Sequence, residues 1–273
     1  MSGQKNISNT VPPGSSTNFS SGLSANFSGS LPWPLAVPSF VFPDTVAGNC
    51  RQLVGKYPEI ALTFFEGRAC LDYTEDDLPP SLADLPLRYH VHMPLDLPWN
   101  EGKAAVSHIV RGLVRRAAFL SPSAYVVHAI EDVGALDLLA ECFAAEGVAM
   151  DKVLLENIGE FDPAKFATHI SRLGFSVCLD LGHMLAYGQE GLVDNTAIAQ
   201  RTRMLHLNAP DRINGTDRHH ALNTLDTTGQ ELLRRLLGII RPGETVVLEL
   251  FSPDKLNASL AELNRLCRNW GYI

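Results

Sequence analysis

The feature that most limits what this chain can fold into is a beat of eight short apolar runs separated by longer stretches of helical periodicity. The runs are rich in branched side chains and predict strands over 37–42, 60–66, 87–92, 124–129, 152–157, 175–181, 204–208 and 245–251. Helical patterns fall between them over 44–55, 101–120, 132–146, 163–173, 194–203, 228–240 and 255–270, with a weaker, proline-rich stretch over 76–85. Asp162-Pro163 and Ser252-Pro253-Asp254 open two of these as helix starts do, with a capping side chain and a proline in the first turn. Strands that alternate with helices need crossover connections, so the sheet is predicted to be parallel. Eight of them favour an α/β fold closed as a (β/α)₈ TIM barrel over an open doubly wound sheet. No G-x-G-x-x-G follows the first run to support the open alternative.

The beat begins only after a different kind of segment. Residues 1–30 hold nine Ser, four Asn and four Gly, and Lys5 is their only charged side chain. Such a composition cannot bury enough apolar surface to offset the entropy of ordering it. The expected organisation is therefore a disordered tail over 1–34, entered through Pro32 and Pro34, and one barrel domain over 35–273. The net charge of −8 opposes a polyanionic partner such as DNA unless a local basic stripe overcomes it. The densest basic cluster, Arg111, Arg115 and Arg116, has the spacing of one solvated helix face. Five cysteines without a C-x-x-C pair predict reduced thiols. With no apolar span and no signal peptide in view, the expectation is a cytoplasmic protein that avoids membranes.

Polar side chains recur at one place in the beat, the carboxyl ends of the runs. Glu66, His92, His128, Glu156 and Asp180 end the second to sixth runs. His183 follows Asp180 by three residues, His206 lies in the seventh run, Glu249 in the eighth, and Asp217 and His219 in the loop after the seventh. In a barrel these ends surround one mouth, where enzymes of that architecture keep their active sites. A lone carboxylate or histidine there is an ordinary loop cap. Many together repel one another unless a cation neutralises them, and imidazole with carboxylate and no thiolate suits Zn²⁺, with Mn²⁺ or Fe²⁺ as alternatives. Gly182 is expected to let the chain turn so that His183 returns to the mouth. In Asp217-Arg218-His219 the extended spacing puts both ligands on one side and Arg218 on the other. Residues expected to contact substrate are Arg218, Glu66, His90, Trp99 and Asn208, with His90 one layer deeper than His92. His108, His169 and His220 are expected to take no part.

The segments Val91-His92-Met93-Pro94, Val126-Val127-His128, Leu155-Glu156-Asn157, Leu179-Asp180-Leu181-Gly182-His183, His206-Leu207-Asn208, Asp217-Arg218-His219 and Leu248-Glu249 resemble, in order and over about residues 60 to 251, the xylose-isomerase-like barrel superfamily. Within it the pattern is most similar to the endonuclease IV type of AP endonuclease. That resemblance implies up to three divalent ions. His92, His128 and Glu156 would hold one, with Glu156 bridging to a second held by Asp180, His206 and Glu249, and His183, Asp217 and His219 would hold a third. Glu156, Glu249 and Asp180 would be the catalytic carboxylates.

Three substrates follow from this. Cleavage of DNA at abasic sites is opposed by the acidic balance, by the absence of a basic, aromatic insertion, and by Ala209-Pro210-Asp211 where repair enzymes carry an acidic residue at once. A sugar isomerase or epimerase needs one divalent metal, for which Glu156, Asp180, His206 and Glu249 suffice, leaving the other ligands without a task. The third reading is a phosphodiesterase for a small molecule. Phe64-Phe65-Glu66 and the run His90 to Trp99 resemble the cobamide-remodelling phosphodiesterases, which release cobinamide phosphate. Leu95, Leu97, Pro98 and Trp99 would then pack on the corrin. A barrel that only binds its ligand is disfavoured because the whole ligand set is present.

Overall fold

In the computed structural model, which describes residues 31–211 and 216–273, the eight runs form eight parallel strands closed into a barrel. They are β1 (Leu35–Pro38), β2 (Glu59–Thr63), β3 (Arg88–His92), β4 (Tyr125–His128), β5 (Val153–Glu156), β6 (Ser176–Asp180) and β7 (Thr202–Leu207). After β7 come the two strands of a small antiparallel hairpin, β8 (Ala209–Asp211) and β9 (Thr216–His220), and then β10 (Thr245–Leu248). β10 pairs with β7 on one side and with β1 on the other, which closes the ring. The tail expected to be disordered lies, to residue 30, outside the described residues. Residues 31–34 already pack against the barrel: Trp33 is buried, its ring meets Tyr272 edge-on at 5.1 Å, and the Pro32 carbonyl accepts the Gly243 N–H.

The two-residue period of a strand sorts side chains to the inside and outside of the barrel. Leu35, Val37, Leu155, Val177, Leu179, Leu205 and Val246 join the outer core beneath the helices. Ala36, Ala61, Val126, Leu154, Cys178, Met204 and Val247 form a separate cluster that fills the barrel itself. Two residues further along the strands, on the same inner face, lie His128, Glu156, Asp180, His206 and Glu249. The chain thus places its polar layer directly above an apolar plug.

Around the strands run α1 (Val46–Leu53), α2 (Gly67–Leu71), α3 (Lys103–Ala117), α4 (Val133–Ala145), α5 (Ala167–Leu173), α6 (Leu181–Tyr187), α7 (Thr196–Ala199), α8 (Thr227–Ile239) and α9 (Pro253–Trp270). The long ones bury one stripe each, as Val106, Ile109, Val110, Leu113 and Val114 do on α3. Three of them are capped by side chains at their starts: Asp132 accepts the Ala135 N–H, Asp226 that of Gly229, and Ser252 that of Lys255. No helix among the described residues is long and apolar enough to cross a membrane. All five cysteines are buried and unpaired.

Three local readings change. The proline-rich stretch over 76–85 is a single 3-10 turn, Pro80–Asp84, because its prolines withhold N–H groups that a longer helix needs. The helix expected over 194–203 shrinks to α7, since β7 begins at Thr202. A helix, α6, starts immediately after Asp180, where a turn was expected.

Candidate metal centre

Glu156, buried at the end of β5, is the hub of the mouth. Its two oxygens face different histidines. Oε2 lies 3.2 Å from His92 Nε2 on β3 and 2.9 Å from His128 Nε2 on β4. Oε1 lies 3.0 Å from His206 Nδ1 on β7 and 3.6 Å from His183 Nδ1 on α6. Glu249, one residue past β10, closes the ring: its oxygens stand 3.7 Å from His92 Nε2, 3.3 Å from His206 Nδ1 and 3.5 Å from His219 Nε2. One donor atom from each of Glu156, Asp180, His206 and Glu249 falls within 4.8 Å of the others, and the same holds for His92, His128 and Glu156.

The partners behind these groups fix their orientation. His92 Nδ1–H donates to the Met93 carbonyl at 2.9 Å, and His183 Nδ1–H to the Asn157 carbonyl at 2.7 Å. Each bond sets the tautomer and leaves Nε2 as the lone-pair nitrogen, the arrangement usual behind metal-bound imidazole. Asp180 is tied on every side. It accepts the His183 backbone N–H at 2.6 Å as the cap of α6, and Asn208 Nδ2 donates to its other oxygen at 2.7 Å. Asn157 Oδ1 accepts the Asp180 N–H at 2.7 Å, and Asn157 Nδ2 donates to Gln189 at 3.0 Å.

Gly182 therefore has a task other than turning the chain. It sits inside α6, and a Cβ there would come within 1.8 Å of Asn208 Oδ1. His183 reaches the mouth because α6 begins at once and carries it on its first turn.

The electrostatics are those of an unneutralised anionic cluster. Burial opposes ionisation of Glu156, yet His206 and His128 outweigh it and hold the carboxyl well below its usual range. Burial likewise opposes charge on His92, and the Glu156 hydrogen bond and charge still lift it above its usual value. His206 is lifted much further. Burial works against that, and although Cys178 lies against the ring, its thiol is pushed up to about 12 by its own burial. It carries no charge near neutrality, so the neighbouring carboxylates Glu156 and Glu249 raise His206. Burial, together with Glu249 and Glu156, pushes Asp180 up to about 6. His128 moves the other way, lowered by burial. Among the described residues the side chains paired with Glu156, Asp180 and Glu249 are histidines and Asn208, with no Lys or Arg. Buried carboxylates that pull up histidines in this way could hold divalent cations, which would replace those protons.

Not every residue expected at the mouth is there. His90 points into the opposite end of the barrel, where its Nδ1 meets Glu59 at 2.7 Å; two residues down a strand is a full layer away. β2 ends at Thr63, so Glu66 lies three residues past it at the exposed start of α2 and outside the cavity. Trp99 sits in a 3-10 turn, Trp99–Glu101, packed on the outer core. Of the expected apolar rim only Leu95 lines the cavity; Leu97 is buried. Asn208 reaches Asp180 and not the open space. The side chains of Asp217 and Arg218 lie outside the described residues. His219 does reach the mouth, with its backbone at φ 34°, a left-handed conformation that breaks the simple alternation expected for Asp217-Arg218-His219. His108 is exposed on α3, His169 binds Asp137, and His220 lies 4.0 Å from Asp211.

The cavity above the cluster holds about 260 Å³. His92, His128, Glu156, His183, His219 and Glu249 line it together with Thr63, Phe64, Phe65, Leu95 and Phe251. Phe65 and Phe251 carried no polar signal in the sequence, and Asn157 and Gln189 are found only when the capping of α6 is seen.

No family model matches the sequence, and no curated protein does. Solved structures match over most of the chain. Endonuclease IV from Thermus thermophilus superposes with a TM-score of 0.65 at 16% identity, covering 86% of this chain and 99% of that one. A D-tagatose 3-epimerase-like protein gives 0.62 at 16%, covering 86% and 97%. The 3-keto-D-glucoside 4-epimerase from E. coli gives 0.57 at 15%, covering 86% and 99%. The fold, a closed barrel of eight parallel strands, is the one this chain shares with that endonuclease and those epimerases.

Proposed function

We propose that this chain is a metal-dependent phosphodiesterase, acting on the nucleotide-loop phosphodiester of a cobamide to give cobinamide phosphate. The observation that carries the phosphodiesterase reading is the division of Glu156, with His92 and His128 on one oxygen and His206 on the other. A carboxylate addressed from both sides in this way suits a bridge between two cations. His92, His128 and Glu156 would hold one, and Glu156, Asp180, His206 and Glu249 a second. His183 and His219, with Asp217, would serve a third. Bound there, divalent cations supply positive charge against a phosphodiester and a water acidic enough to attack at neutral pH.

The chain's own residues do the rest. The Met93 and Asn157 carbonyls hold the rings of His92 and His183 in one tautomer. Asn208 and the α6 N-terminus hold Asp180. The apolar layer of Val126, Leu154 and Met204 keeps water from below.

Several features support a small substrate over a duplex. The net charge is −8, and the cavity is below the roughly 300 Å³ at which pockets for whole drug-sized ligands begin. A cobamide would therefore insert only the phosphate end of its nucleotide loop and leave the corrin outside, near the exposed Leu95.

A sugar epimerase is favoured by one observation, the compact quartet of Glu156, Asp180, His206 and Glu249, which could hold a single metal unaided. A metal count on purified protein, paired with incubation against a cobamide, an abasic-site duplex and a ketohexose, separates the readings. Two or three ions per chain with cobinamide phosphate released is the expected result. One ion, no phosphodiester cleavage and turnover of the ketohexose would replace it with the epimerase.

A further inference from the structure

Part of the cavity's lining is aromatic, and the barrel order makes it so. β1 lies between β10 and β2, so residues just past the ends of these three strands are neighbours in space. Phe40 follows β1, Phe65 follows β2 and Phe251 follows β10. Their rings touch in series: Phe40 to Phe65 at 5.0 Å and 59°, Phe65 to Phe251 at 5.7 Å and 55°, and Phe251 to His219 at 5.2 Å and 43°. The adjacent Phe64 turns into the core and is 1% exposed, whereas Phe65 is 40% exposed. The core is therefore filled without Phe65. Its ring is braced by tilted neighbours on two sides and remains open to the same cavity that Glu156 and Glu249 line.

We propose that Phe65, braced by Phe40 and Phe251, is a stacking platform for a planar aromatic base carried on one ester arm of the substrate. The proposal rests on the phosphodiesterase reading, in which the phosphate lies against the metal-holding residues. Two ring contacts separate the platform from His219, so a base linked to its phosphate through a sugar spans the gap. An exposed phenyl ring loses most contact with water when a flat aromatic ring covers it, more than the narrower apolar face of a sugar would give. The cavity's limited volume points the same way, since it accommodates the reacting phosphate and one attached group rather than a whole ligand. An abasic site, which lacks the base, would leave the platform bare.

The test uses matched ligands that differ only in the base. Binding of adenosine 5′-monophosphate and of ribose 5-phosphate to the metal-loaded protein is measured by calorimetry for the native chain, Phe65→Ala and Phe65→Tyr. Turnover of adenosine 5′-methyl phosphate is followed beside it. Stacking on an aromatic side chain predicts a preference for the base-bearing ligand of about 10- to 100-fold in the native protein. Phe65→Tyr should keep that preference and Phe65→Ala should abolish it, bringing the nucleotide down to the affinity of the sugar phosphate. Equal affinities in the native protein, or a preference that survives Phe65→Ala, would overturn the platform. Base-dependent binding through Phe65 without any hydrolysis would uphold the platform and count against the phosphodiesterase instead.

Discussion

The two ends of the barrel each bury carboxylate and histidine, and they solve the same electrostatic problem in opposite ways. At the floor, Glu59 on β2 receives His90 Nδ1 at 2.7 Å and Ser123 Oγ at 3.2 Å on one oxygen, and Arg88 Nη2 at 2.6 Å and Thr245 Oγ1 at 3.0 Å on the other. Its lone-pair directions are filled and its charge is met by a guanidinium. At the mouth, three carboxylates crowd together with histidines, and no guanidinium or ammonium pairs with them among the described residues. The Glu59 carboxylate is satisfied by the protein itself, although His90 Nε2 is buried without a partner. Among the described residues the carboxylates of the mouth meet only histidines and Asn208, an arrangement that could take up divalent cations. Burial of acid and histidine together therefore does not by itself mark a metal site, as the Glu59 end shows.

The sharpest way to break this contrast is at Glu156. Glu156→Ala, and the nearly isosteric Glu156→Gln, should reduce turnover by at least about 10³-fold, because the loss of several kcal/mol of charge organisation translates at 1.4 kcal/mol per factor of ten. The metal content should fall in both while the melting transition stays cooperative. A variant that keeps its full metal complement and activity would show that the two histidine sets do not share this carboxylate.

Glu59→Ala should do the reverse. Removing one partner of a buried pair costs about 3–5 kcal/mol of stability, read by denaturant unfolding, with metal content and turnover per folded molecule retained. The two ends should also part company with pH. Although burial acts to raise it, Glu59 is held at about 2, chiefly by its hydrogen bond and charge interaction with His90, with Arg88 and Thr245 adding to this. Its contribution is fully present above the ordinary value of 4.5 and is lost as pH falls toward 2, so the stability gap between native and Glu59→Ala proteins should narrow only in that acidic window. His92 and His206, in contrast, are raised above 6.5 in the metal-free cluster. Protons compete there with metal, so metal affinity should already decline as pH falls past neutrality, before the floor is affected. Simultaneous loss of metal and of the floor's stability on acidification would mean that the ends are coupled.

His90 and His92 show why sequence reading separates these ends only in part. Both point inward from β3, and periodicity places them one layer apart, but nothing local says that Glu59 and Arg88 wait for the deeper one. The strand ends carrying His128, Glu156, Asp180, His206 and Glu249 were legible because a parallel barrel forces them to one mouth. The start of α6 was not, since Asp180 serves both as cap and as member of the cluster, and a capping carboxylate looks the same in sequence as a ligand. The aromatic wall was hidden for another reason. Phe40, Phe65 and Phe251 are 25 and 186 residues apart along the chain, and only closure of β10 onto β1 and β2 makes them adjacent.

Asn208 provides the finest probe of the mouth. The sequence placed it among the substrate contacts, whereas its Nδ2 is spent on Asp180 and its Oδ1 is buried. Groups that orient a metal-binding carboxylate typically account for 10- to 100-fold in metal affinity. Asn208→Ala should therefore weaken metal binding by about that factor, and saturating metal should restore turnover with KM for the phosphodiester near the native value. The pattern expected of a substrate contact is different: native metal affinity and a raised KM that added metal does not correct. The first outcome makes the mouth a site whose own side chains arrange the carboxylates in advance for a cation. The second would move Asn208 back into the cavity and require Asp180 to be held by the α6 N-terminus alone.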